Sequence, residues 1–345
     1  MKIGSREIGP DYLPYVVAEI SSNHGGSVKT ACETMDAAMD VGADAIKIQC
    51  YTAEKLCAND GYVLESGLWK GKRLFDLYKE AETPPDMVRE LFKYAKTKNI
   101  PLFSSVFDFS GVDLVSSLDS IALKISSFEL IDTPLIRYAA STGLPVIIST
   151  GMATSREIID AINAYNAGSL SSVSNLALLH CVSDYPADPA GTNLPALGPL
   201  KSLLGGRHEV GFSDHTLGIG TACGAVSFGA SIIEKHFIID RAIGGSDAAF
   251  SMEPVEFGQM IAACKDVWYS TRPSRPRAPN ASLRKSLHVL ETVRAGDPFS
   301  EKNVGILRPA TGLSPCFWSS VLQGAATQDL EPYTPLQPSM VSTLC

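Results

Sequence analysis

The stretch ASIIEKHFIID, Ala230 to Asp240, opens as a buried strand and then sets Glu234, Lys235 and His236 side by side. Unpaired charge inside a core costs on the order of several kcal/mol, so groups placed there need partners or a task. The same design recurs along the chain. Glu19 ends the run YVVAEIS, and Lys47 and Gln49 stand two apart in DAIKIQC, so they point the same way. Ser104 and Ser105 lie in PLFSSVF; Lys124, Ser126 and Ser127 close SIALKIS; Ser149 closes PVIIST. His180, Ser183 and Tyr185 follow NLALLHC, and Ser213, Asp214 and His215 close EVGFSD.

Three chemistries are available in this set. Lys47 and Lys124, with Ser105, Ser127, Ser149 and Ser213, offer cations and hydroxyls suited to a phosphate and a carboxylate. His215 and His236 come from neighbouring apolar runs and could be two imidazole ligands of a divalent metal, leaving positions open for Lewis-acid catalysis. Glu19, Glu129 and Asp247 supply carboxylates that could orient a sugar hydroxyl or move a proton. Each residue alone has a plainer reading: a snorkelling lysine, a capping serine, a satisfied core imidazole. Lys124 also suits a Schiff-base aldolase. A sugar-binding module is the non-enzymatic alternative.

The elements that must position these groups alternate in type. Short β-branched runs at Tyr15–Ser21, Asp44–Cys50, Pro101–Phe107, Ser120–Ser126, Pro145–Thr150, Asn175–Cys181, Glu209–Asp214 and Ser231–Phe237 predict strands. Amphipathic segments such as VKTACETMDAAMDVG and PPDMVRELFKYAKTKN lie between them. Strand then helix, repeated over about 250 residues, predicts an α/β protein with a (β/α)8 TIM barrel, whose carboxyl-end loops carry function. A doubly wound open sheet is the alternative. The barrel is expected over 1–269, a Pro/Arg-rich linker over 270–282 and a small β-rich domain over 283–345. The insertion Tyr51–Thr83, rich in aromatics, is too long for an idle loop.

Composition narrows the class further. The chain has 345 residues, 45% of them hydrophobic, and a net charge of −8, which argues against nucleic-acid and membrane partners. Its eight scattered cysteines form no CxxC pair, and MKIGSREIGPDYLP contains no apolar signal core, so a reduced, cytoplasmic setting is expected.

The segments AEISSNHGG, GADAIKIQCYTAEKL, KISSFEL, IISTGMAT, GFSDHTLGI and IIEKHFIID resemble the sialic acid synthase family, and the tail LRKSLHVLETVRAGDPFSEKNVGILRP is similar to the antifreeze-like (SAF) domain of that family. The resemblance covers nearly the whole chain. It implies condensation of phosphoenolpyruvate with an N-acetylated amino sugar. SGLWKGKRLFDLYKEAETP, GGSDAAFSMEP and RPATGLSP look most like the pseudaminic acid branch, with the neuraminate and legionaminate branches as alternatives. By likeness, His215 and His236 hold Mn2+ or a similar divalent metal, and Lys47, Ser105, Lys124, Ser127, Ser149, Ser183 and Ser213 surround phosphoenolpyruvate. Glu19, Gln49, Tyr185 and Asp247 would then face the sugar, and Glu129 would orient water or relay a proton. Arg308 matches an arginine delivered into a neighbouring subunit, which implies a domain-swapped homodimer. Val106, the HGG tripeptide and Ala310 depart from the family pattern, and Ala310 bears on how Arg308 is presented.

Overall fold

The computed structural model describes residues 1–170, 175–272 and 280–344. An N-terminal hairpin of β1 (Lys2–Ile3) and β2 (Arg6–Glu7), which sequence patterning does not reveal, precedes the expected alternation. Then follow β3 (Tyr15–Glu19), β4 (Ala45–Cys50), β5 (Leu102–Val106), β6 (Leu123–Ile125), β7 (Val146–Ser149), β8 (Leu176–Cys181), β9 (Glu209–Asp214) and β10 (Ile232–His236). Among the described residues these eight strands form a closed parallel ring, with β10 returning to β3 in the register Ile232↔Tyr15 to His236↔Glu19. Closure excludes the open doubly wound sheet. Each expected run contains one of these strands, most of them trimmed at one or both ends.

Helices α1 (Val28–Asp40), α2 (Ala53–Leu56), α3 (Leu74–Ala81), α4 (Pro85–Lys98), α5 (Phe109–Ser116), α6 (Thr133–Ser141), α7 (Ser155–Gly168), α8 (Leu197–Leu203), α9 (Gly220–Ser227) and α10 (Pro254–Ser270) accompany the strands. Local chemistry marks their ends. Thr154 and Glu157 form a capping box at the start of α7, and Asp132 caps α6 by accepting from the Leu135 amide. Proline at the first turn of α4 costs no helical hydrogen bond, and Asn99 ends that helix in the left-handed region at φ 55°. The insertion Tyr51–Thr83 holds α2 and α3.

Strand alternation sorts the core into two layers. Val16, Ala18, Ile46, Ile48, Ile148, Leu178, Phe212 and Ile233 pack outward against the helices. Their neighbours Tyr15, Val17, Ala45, Phe103, Ile147, Ala177, Leu179 and Ile232 fill the lumen together with Ile3 and Ile8, so the N-terminal hairpin plugs the amino-terminal end of the barrel. Both faces of every strand are therefore buried, which is why the runs read as continuously apolar. Higher in the lumen the inward positions turn polar, at Glu19, Lys47, Ser105, Lys124, Ser149, Ser213 and Glu234.

The chain divides into two compact units, Met1–Arg272 and Pro273–Cys345. The second contains β11 (Ser286–Val289) paired antiparallel with β12 (Val304–Leu307), the short α11 (Trp318–Leu322), and its own core around Leu287, Val289, Val293, Phe299 and Leu336. Most of the expected linker, 273–279, lies outside the described residues.

Gly211 occupies an inward position where no side chain fits. A Cβ there would stand 2.5 Å from the Ile232 carbonyl oxygen and 2.5 Å from a Leu179 methyl carbon. Gly211→Ala is expected to destabilise the barrel by about 1–3 kcal/mol through overpacking. A urea midpoint followed by circular dichroism checks this, and an unchanged midpoint would show that the lumen can relax.

Candidate active site

A cavity of about 500 Å³ opens at the carboxyl ends of the strands, a volume suited to two small metabolites. The Lys47 ammonium lies at its floor, 2.5 Å from Glu19 Oε2, 3.4 Å from Glu234 Oε1, and 3.0 Å from Ser105 Oγ, to which it donates. One cation thus sits between two buried carboxylates. Burial works to raise the Glu234 carboxyl, but Lys47, Lys124, His236 and His215 outweigh it and bring it down to about 2. Glu19 moves the other way, because burial and the nearby Glu234 charge oppose its ionisation against the pull of Lys47.

Lys124 donates to Ser149 Oγ at 2.7 Å and to the Ile125 carbonyl at 3.0 Å. Ser127 and Ser183 meet at 2.9 Å between hydroxyl oxygens. Gly151 leaves the space beside them open: it adopts φ +46°, and a Cβ would lie 2.5 Å from Ser127 Cβ and 2.6 Å from Ser183 Oγ. The result is a concave surface of ammonium and hydroxyl groups, a donor set for an anion.

His215 and His236 line the same cavity, with ring centroids 5.6 Å apart. His215 Nδ1 donates to the Val182 carbonyl at 2.6 Å, which leaves Nε2 as the bare nitrogen. The nearby Ser213 hydroxyl does not claim that lone pair, since it donates to Glu234 Oε1 at 3.1 Å. His236 Nδ1 is buried and has no hydrogen-bond partner among the described residues; Asp247 Oδ2 lies 3.8 Å away. Burial lowers both imidazoles to about 3, helped by His236 at His215 and by Lys47 at His236, so both are neutral and hold free lone pairs. The pair therefore fits a divalent cation. Among the described residues no group of three or more His, Cys, Asp or Glu side chains is gathered as a ligand set, so a cation held here keeps positions open.

Aromatic side chains form the upper wall. Tyr185 stacks over His215 at 4.2 Å between centroids and meets Phe250 at 5.2 Å. Trp69, from the insertion, lies 5.7 Å from Tyr185 and donates its indole N–H to the Ser246 carbonyl at 3.1 Å. The insertion also brings Leu56, Leu64, Leu74, Leu77 and Tyr78 to the cavity. Glu129 lines the same cavity with Oε2 buried and without a hydrogen-bond partner among the described residues, and burial raises its carboxyl to about 7. Gln49 donates to Glu19 Oε1 at 3.1 Å. Asp247 is raised by burial against the hydroxyls of Ser21, Ser246 and Ser22.

Most residues singled out in the sequence converge here, but four strand-end groups, His180, Ser104, Asp214 and Lys235, do not. His180 Nε2 donates to the Thr192 carbonyl at 2.7 Å, and its ring lies 5.8 Å from that of Phe212. Ser104 bonds the Ile48 and Ser105 carbonyls. Lys235 points outward and pairs with Asp214. Arg308 belongs to the second unit, where it is exposed beside a turn held by Ser286 Oγ, which donates to the Pro309 carbonyl and accepts from the Gly312 amide at 3.0 Å. Sequence reasoning did not assign Ser21, Ser246, Phe250 or Gly151. The segments SSNH, GGSD and STGM hold three of them without any chemical signature beyond small polar residues.

Comparison with known proteins agrees with this geometry. The NeuB family model matches residues 34–274. A pseudaminic acid synthase from Helicobacter pylori is 36% identical over 334 residues, covering 94% of this chain and 96% of the relative. Another from Campylobacter jejuni subsp. jejuni is 34% identical, covering 96% and 97%. The crystal structure of an N-acetylneuraminic acid synthetase from Leptospira borgpetersenii, in complex with citrate, superimposes with a TM-score of 0.72 at 31% identity, covering 81% of this chain and 93% of that one. The chain belongs to the NeuB family.

Proposed function

We propose that this chain is a pseudaminic acid synthase. It joins phosphoenolpyruvate to 2,4-diacetamido-2,4,6-trideoxy-altropyranose and water, and releases pseudaminic acid and phosphate. The observation that supports this reading most directly is the meeting of two neutral imidazoles, two lysines and a hydroxyl-lined anion cradle in one cavity. The relatives named pseudaminic acid synthase support the choice of sugar.

Lys47 and Lys124 hold the anionic ends of phosphoenolpyruvate, with hydroxyls from Ser105, Ser127, Ser149, Ser183 and Ser213 completing the cradle. Each preorganised cation contributes about 3 kcal/mol where charge develops in a closed site. Glu19, Gln49, Tyr185 and Asp247 orient the open-chain sugar so that its aldehyde carbon meets the methylene carbon of phosphoenolpyruvate. His215 and His236 would hold Mn2+, which supplies Lewis-acid polarisation of a carbonyl when bound. As the C–C bond forms, the aldehyde C=O electron pair moves onto its oxygen and a cationic centre is left at the former enol carbon, to which water adds. Glu129 takes the proton that this water sheds and returns it to the new alkoxide; the C–O bond to phosphate then breaks as the added hydroxyl becomes the ketone carbonyl, its proton leaving with phosphate. The wall of Trp69 and the insertion leucines suits a deoxygenated, diacetamido sugar.

The same reading makes the second unit an antifreeze-like SAF domain and the working form a cytoplasmic homodimer in which Arg308 completes a partner's sugar site. Among the described residues no helix is long and apolar enough to cross a membrane.

Phosphate release in the presence of phosphoenolpyruvate and Mn2+ tests the assignment, with the pseudaminate precursor, the legionaminate precursor and N-acetylmannosamine compared side by side. The first is expected to turn over fastest, and EDTA to abolish release. Turnover with N-acetylmannosamine alone would overturn the choice of sugar. Glu129 adds a pH dependence. Its carboxyl is raised to about 7 by burial, and the base must be ionised, so kcat is expected to fall as pH drops through about 7. Glu129→Gln should lower kcat and flatten that acidic limb; a limb that persists in this variant belongs to another group.

A further inference from the structure

The two histidines have matching neighbours. His215 follows Asp214 at the end of β9, and His236 follows Lys235 at the end of β10. Asp214 and Lys235 are register partners on these adjacent strands, and because side chains alternate they face outward where the histidines face inward. Lys235 Nζ donates to Asp214 Oδ2 at 2.7 Å, and both side chains are 1% exposed or less. The ammonium also donates to the Thr216 carbonyl at 2.6 Å. The other carboxylate oxygen, Asp214 Oδ1, accepts from the Thr216 amide at 2.9 Å and from its hydroxyl at 2.8 Å.

These bonds bracket His215 between two fastened residues. On the inner side its carbonyl accepts from the Ala187 amide at 2.9 Å, and its Nδ1 is tied to Val182. Tyr185, on that same segment, stacks on the His215 ring. An ion pair sunk behind the barrel wall therefore fixes the rotation of one strand end and its spacing from the next.

We infer that the Asp214–Lys235 pair is a positioning device that sets the two imidazoles at metal-binding separation. This rests on the reading that His215 and His236 hold a divalent cation. Neither member touches substrate or metal; both act through the backbone of the residue that follows. Partners that orient metal ligands typically govern affinity by roughly ten- to a hundredfold.

The test is Mn2+ affinity of the full-length, EDTA-stripped chain, read from free Mn2+ by electron paramagnetic resonance, together with the unfolding midpoint by circular dichroism. Lys235→Met is expected to weaken Mn2+ binding about tenfold or more, with Lys235→Arg restoring most of it. Thr216→Val, nearly isosteric, removes the hydroxyl bonds to Asp214 and Thr221 and should weaken binding by a smaller factor, with a smaller shift of the midpoint than Lys235→Met. This second variant carries the test if Lys235→Met does not fold. Wild-type affinity in Thr216→Val, or in a folded Lys235→Met whatever its midpoint, overturns the proposal and leaves the metal reading intact. Mn2+ binding that survives His215→Ala overturns the metal reading, and this inference with it.

Discussion

Everything at the carboxyl end of the barrel depends on placing charge where water is scarce. An ammonium buried at the floor of the lumen is tolerated only if carboxylates and hydroxyls surround it, and Lys47 has Glu19, Glu234 and Ser105 within reach. Those partners must arrive from β3, β5 and β10, so the electrostatic requirement is met only when the ring is closed and in register.

Closure also explains the gradient inside the lumen. The lower layers are filled by Tyr15, Phe103, Leu179 and other apolar side chains, and the hairpin carrying Ile3 seals them. Water is excluded from below, so the polar layer faces only the cavity. Low local dielectric keeps the imidazoles of His215 and His236 neutral and strengthens each remaining interaction. Stability and chemistry here share one cause. The same apolar packing that holds the barrel together sets the protonation states at its mouth.

The insertion and the loops add what the barrel lacks. Trp69 reaches Ser246 and Tyr185 from a segment far away in sequence, giving the cavity an apolar upper wall over a charged floor. That division matches a ligand pair in which one member is a small, highly charged phosphate-bearing acid and the other an acetylated sugar. Active sites of this fold draw their variety from such loops while the strands stay constant.

Much of this was legible in the chain itself. The eight strands follow from short, continuously apolar β-branched runs, and the shared direction of Lys47 with Gln49 and of Glu234 with His236 follows from period-two alternation, a local steric property that any strand obeys. The polar residues at the run ends marked the functional end because a core does not accept them without partners. Other features came only with the fold. The hairpin Lys2–Glu7 is too short to carry a periodic signal. Alternation already sets Lys235 opposite Glu234 and His236, but its partner Asp214 came only with the fold, as did the turn of His180 toward Thr192 and away from the cavity. Gly151 and Ser246 are ordinary until the backbone brings Ser127, Ser183 and Trp69 against them. Alternation determines which way a side chain leaves its strand, and the sequence alone discloses that. Which groups then meet depends on strand order, register and loop paths, and those are settled by packing between residues hundreds of positions apart.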